Sequence, residues 1–226
     1  KDGNGARPNN NAQAGGNNEE VLINSKVGVA SVIDNITITN LQNNVLEYCR
    51  SYPRLLASLL PCGAGFEDYT TYLSQQYGAS SNIEVQGRLC NTAGSARSFI
   101  EVSMPLLCGV FLQGENIPLS FQNGTGGMVI NLQLAPSIQA LYGFTAATVN
   151  SQYELSRVSL TGSYGVPEGG KLPPIKALPF SAFQSFYSVI NNGDNTQQIS
   201  PSLSAVISTF TNFVPTENIS NYAHDA

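Results

Sequence analysis

FIEVSMPLLCGVFLQGENIPLSFQNGTGGMVINLQLAP, residues 99–136, decides the fold class. From Ser98 to Leu112 the chain is a mostly apolar run, broken at Pro105 and Gly109. ENIPLSF (115–121) leads into NGTGG (123–127), and MVINLQLAP (128–136) then alternates apolar and polar residues. Short runs of this kind between Gly, Asn and Pro read as strands joined by tight turns. NGTGG has a superficial likeness to a phosphate loop, but an alternating strand follows it. No helix N-terminus is therefore offered to an anion, and Asn-Gly is a strong hairpin signal.

Moving towards the N-terminus, NIEVQGRLC (82–90) alternates, with Ile83, Val85 and Leu89 on one face and a bulge expected at Gly87. A short helix or turn is expected over Phe66 to Gln76. The main helical signal lies upstream, where Val45, Leu46, Cys49, Tyr52, Leu55, Leu56, Leu59 and Leu60 recur at three- and four-residue steps. Pro53 is expected to divide this region (44–60) into two short helices, closed by Pro61, Gly63 and Gly65. VLIN (21–24), VGVASVI (27–33) and NITITNL (35–41) read as short strands. Residues 1–20, with no hydrophobic period, read as a flexible arm or an exposed loop.

Towards the C-terminus, FTAATV (144–149) and QYELSRVSLTGSY (152–164) complete a set of about eight strands, which favours a sandwich or jelly roll over a βαβ fold. Residues 166–179, rich in Gly and Pro, read as a linker. Two further apolar stretches, FSAFQSFYSVI (180–190) and ISPSLSAVISTFTNFV (199–214), hold too few strands to close a sandwich. They either pack on the first domain (21–165) or open a second, incomplete one (180–226).

Hydrophobic residues make up 42% of the 226, while charged residues are only 11%. That is less than half the roughly 25% usual in soluble domains. Surfaces rich in Asn, Gln, Ser and Thr suit burial against neighbours, because charge is depleted from interface cores. Secreted glycan-handling β-proteins share this look. The net charge is −5 and the ten basic residues are scattered, so no basic patch for nucleic acid is present. No apolar run reaches the roughly 18 residues needed to span a bilayer. The opening residues hold no initiator Met and no signal peptide, and the chain is expected to be part of a longer one.

Chemistry-bearing groups are sparse. The single histidine, His224, lies near the end and reads as a solvated tail residue rather than the base of a triad. Glu67 and Asp68 are adjacent, so they do not face each other on a helix, and Glu84 and Glu101 have outward strand parity. A glycosidase pair is disfavoured because the chain holds no Trp to platform a sugar. Cys49, Cys62, Cys90 and Cys108 match no metal-binding spacing; Cys49 and Cys108 sit among apolar neighbours and read as small core residues, with the disulfide state open. Sequons occur at Asn35, Asn123 and Asn218, and their number is what chance supplies in such a composition. The expectation is no catalytic residue, no cofactor and no metal.

Taken together, the order of features resembles the double jelly-roll major capsid proteins of virophages and polinton-like viruses. Three stretches carry the likeness: VASVIDNITITNLQNNVLEYCRSYPRLLASLL (29–60), FIEVSMPLLCGVFLQGENIPLSFQNGTGGMVINLQLAP (99–136) and YELSRVSLTGSYGVP (153–167). The later FSAFQSFYSVI and AVISTFTNFV look like the opening of that family's second jelly roll. Together with the three stretches above, they cover about half the chain. The departure is length, since only about sixty residues follow the first domain where a second of similar size is needed.

The resemblance implies an all-β chain: a jelly-roll sandwich with an inserted helical segment, followed by the start of a second jelly roll. It implies a homotrimer forming a pseudo-hexagonal capsomer, with capsomers tiling an icosahedral shell in the virion. Neighbouring capsomers, minor capsid or penton proteins and cement proteins would be its further partners. The alternatives are an extracellular β-sandwich that binds glycans or a receptor, and a single jelly-roll minor capsid or penton protein. An enzyme ranks last.

Overall fold

A computed structural model describes residues 21–24, 26–63, 101–112, 117, 127–143, 153–163, 165, 180–190, 193–194, 196, 205–211, 213–216 and 222. Its centre is strand β2 (Ile33–Asn40), flanked by β3 (Val45–Cys49) on one side and β4 (Met128–Leu134) on the other, both antiparallel. A two-residue strand β1 (Val21–Leu22) pairs separately with β5 (Tyr142–Gly143). The described region is thus an antiparallel, β-rich unit carrying one substantial helix, α1 (Tyr52–Gly63).

β-branched Ile and Thr alternate along β2, which suits a pleated strand, and its central place buries residues on both faces. Ile36 and Ile38 are fully buried and pair with Cys49 and Glu47 of β3 on one side and with Leu132 and Ile130 of β4 on the other. The β2–β3 hairpin is closed by Asn40, whose side-chain oxygen accepts the backbone N–H groups of Gln42 (2.9 Å) and Asn44 (2.8 Å). Asn43 takes the left-handed conformation there (φ 63°), which Asn tolerates better than most residues.

Helix α1 lays Tyr52, Leu56 and Leu60 against the sheet, one turn apart on a single face. They join Val27, Ala30, Val32, Ile33, Cys49, Cys108, Val110, Ala135 and Ala140 in one core. A 3-10 turn (Val29–Val32) feeds β2, and the short helix α2 (Ser137–Ala140) packs beside it. Burying a Leu or Ile side chain contributes about 1.5–3 kcal/mol each, so this small core dominates the stability of the unit.

Several expectations are corrected. Residues 45–49 form a strand, not the first of two helices. Val45, Leu46 and Cys49 matched a helical period only because buried Glu47 interrupts the apolar alternation. Pro53 does not divide a helix: it sits in the first turn of α1, where its missing N–H has no intrahelical partner to lose. The same helix runs through Pro61 to Gly63. VGVASVI is largely a 3-10 turn rather than a strand, with the strand starting at Ile33. Residues 101–112 and 153–163 carry no strand ladder; the former end in a turn at Cys108–Leu112.

The arm (1–20), the helix at 66–76, the strands at 82–90 and 144–149, the NGTGG turn up to Gly126 and the linker (166–179) lie outside the described residues. So does ENIPLSF apart from Ile117. Among the described residues, no helix is long and apolar enough to cross a membrane.

Candidate functional site

Glu47 is the one acidic side chain of the described residues that is almost fully buried, at 2% exposure. Strand β3 turns it to the same side as Cys49, because side chains two apart share a face. Its carboxylate is met by backbone N–H groups from two separate segments. Gly109 donates to Oε1 (2.8 Å), Val110 to Oε2 (2.8 Å) and Phe183 to Oε1 (2.9 Å). Charge-assisted bonds of this kind contribute about 1.5–3 kcal/mol each, which is how a carboxylate is tolerated in a core. The turn at 108–112 and the segment at 180–190 are therefore fastened to the sheet by one side chain.

That seam is tight. A Cβ added to Gly109 would overlap the backbone of Ser181 and Ala182, so only glycine lets the two segments cross at this distance. Tyr187 adds a second tie, donating to the Arg50 carbonyl (3.2 Å) while the Arg50 guanidinium lies 5.0 Å from its ring centroid.

Beneath the carboxylate lie the two buried thiols. Cys49 Sγ is 3.5 Å from Glu47 Oε1 and 3.9 Å from Cys108 Sγ, and neither cysteine is in a disulfide. The hydrogen bond to Cys108, burial and the Glu47 charge all hold the Cys49 thiol well above the ordinary thiol range. It stays protonated, a poor nucleophile in this closed arrangement.

Glu47, Cys49 and Cys108 are also close enough to share a cation, with ligand atoms within 4.8 Å of one another. The donor set suits such an ion poorly. Glu47 Oε1 already accepts two backbone N–H bonds, which a cation there would displace, and three ligands fall one short of a closed tetrahedral site. The arrangement is chemically a clasp and a thiol pair.

A second polar knot surrounds Tyr222. Its hydroxyl donates to Asp34 Oδ1 and lies 3.3 Å from Ser51 Oγ, its backbone N–H donates to Gln139, and its carbonyl accepts the Asn24 amide (2.7 Å). Burial and the Asp34 carboxylate push its pKa up to about 12. Residues 183, 187 and 222, all from beyond the expected linker, thus pack on the sheet unit.

Of the residues singled out in the sequence, Cys49 and Cys108 come together, as small core residues. Glu101 is exposed; Glu67, Asp68, Glu84, Cys90 and His224 lie outside the described residues, as does the side chain of Cys62. The sequon residue Asn35 is buried, its amide nitrogen bonded to Asp34 and Gln133 and its oxygen accepting the Ser51 N–H, so it leaves no room for a glycan. Asn123 and Asn218 lie outside the described residues. Sequence reading missed Glu47 entirely.

Apolar side chains away from this clasp are exposed. Val158, Leu160, Tyr187, Val189, Ile207 and Phe213 are all more than half exposed. Searches for relatives add no family, for no protein-family model, no curated protein and no solved structure matches this chain.

Proposed function

We propose that the chain is a capsid subunit of the double jelly-roll kind, whose copies trimerise into pseudo-hexagonal capsomers of an icosahedral shell. The observation that carries this reading is the exposure of apolar side chains along 153–163, 180–190 and 205–211 and at Phe213, where Ile207 is 83% and Phe213 73% exposed. Where such side chains adjoin, they make the kind of apolar patch that a protein-protein contact covers. The low charge content agrees with it, as does the antiparallel sheet with a helix inserted after its first hairpin. A jelly-roll sandwich would supply the remaining strands, and its edges would be covered by neighbouring subunits.

Light scattering behind size-exclusion chromatography tests the proposal. The expected mass is that of three 24.0 kDa chains, about 72 kDa. A stable monomer at high concentration that binds a glycan would overturn it in favour of an extracellular binding module.

A further inference from the structure

We propose that Cys49 and Cys108 are a convertible thiol pair: oxidation by hydrogen peroxide or a small-molecule disulfide joins their sulfurs, stapling β3 to the turn at Cys108–Leu112. Both side chains are fully buried and their sulfurs stand 3.9 Å apart although the residues lie 59 positions apart in the chain. A disulfide needs about 2.05 Å, so the sulfurs must close by roughly 2 Å, a movement on the scale of a χ1 rotation in an unbranched side chain. They are the two cysteines whose side chains are among the described residues. The inference is independent of whether the chain assembles.

One thiol gives up its proton and attacks a peroxide oxygen; an S–O bond forms, the O–O bond breaks and the leaving hydroxide takes the proton as water. The second thiol then attacks the sulfenic sulfur, an S–S bond forms, the S–O bond breaks and a second water leaves. Two cysteines lose two electrons and two protons, and the peroxide is reduced. With a small disulfide, two successive exchanges give the same bond and release two small thiols.

The closed structure restrains this reaction. Ser181 and Ala182 lie directly over Gly109, next to Cys108, and the Glu47 carboxylate beside Cys49 disfavours the thiolate. Oxidation therefore follows a lifting of the 180–190 segment, which is held at this point by the Phe183 N–H and at its far end by Tyr187. Segments with few buried contacts open at low cost.

The test uses the full chain, reduced, freed of metal with a chelator and then incubated with hydrogen peroxide or oxidised glutathione. It is unfolded in guanidinium with an alkylating reagent, digested and mapped by mass spectrometry. The expected product is a Cys49–Cys108 linked peptide about 2 Da lighter than the two free peptides, restored by dithiothreitol, with alkylation at both residues falling at least about tenfold. Full alkylation of both residues overturns the proposal, as does a link from either to Cys62 or Cys90, or separate glutathione adducts on each. A Cys62→Ser, Cys90→Ser double variant is expected to keep the link; should it fail to fold, the peptide map of the unsubstituted chain decides alone.

Discussion

Two regions of this chain have similar apolar content and opposite fates. In the unit built from β2, β3 and α1, Ile36, Ile38, Tyr52 and Leu56 have no exposure, and the buried side chains of Asn35, Asn40 and Glu47 are hydrogen-bonded. In 153–163, 180–190 and 205–211, Val158, Leu160, Val189 and Ile207 face outward with no ladder to hold them. The difference lies in partnership rather than composition. The first region is held by the ladders on both sides of β2 and by its helix, whereas the second is tied down at a few points, Glu47–Phe183 and Arg50–Tyr187 among them.

The largest effect is expected from cutting the tie between the regions. Glu47→Ala leaves three backbone N–H groups without an acceptor, two of them in a turn pressed against the core. A loss of about 3–5 kcal/mol is expected, as for removal of one partner from a buried charged network. Urea unfolding measures it. A loss below about 1 kcal/mol would mean that water reaches these donors and that the two regions are not joined here.

A second break concerns the knot at Tyr222, and its sign follows from the raised pKa. In the unfolded chain a tyrosine ionises near pH 10, whereas Tyr222 in the folded protein holds its proton to about 12, because of burial and the Asp34 carboxylate. Between these values the unfolded state binds fewer protons, so stability falls as pH rises. The contribution is fully present below pH 10 and is lost on passing through about 12, a change on the order of 2 kcal/mol. Denaturant midpoints at pH 9 and 11 capture about half of it, with Tyr222→Phe as the reference in which this slope is reduced.

The same contrast explains what could be read in advance. β2 and β4 were legible because NITIT and MVINLQL alternate, the direct mark of a pleated strand. β3 was not, since VLEYC places a charge where alternation requires an apolar residue. Parity holds the clue: in a strand Glu47 shares its face with Cys49, whose apolar neighbours mark it as a core residue. The carboxylate's partners left no mark at all, because they are main-chain N–H groups of Gly109, Val110 and Phe183, and any residue but proline supplies one. The thiol pair was invisible for a related reason. Its members lie 59 positions apart, and only the packing of a turn onto β3 brings them together.

The smallest effect on folding sharpens the comparison most. Ile207 is 83% exposed, so Ile207→Thr removes apolar surface that the chain itself does not bury. Its stability in urea is expected to change by less than about 0.5 kcal/mol, the usual range for surface substitutions away from special features. The mass in solution should respond instead, falling towards that of one chain if this side chain lies in a contact between copies. A stability loss above about 1 kcal/mol would place Ile207 against other parts of its own chain. The apolar segments would then belong to an internal core, and the two regions would differ in location only, not in what completes them.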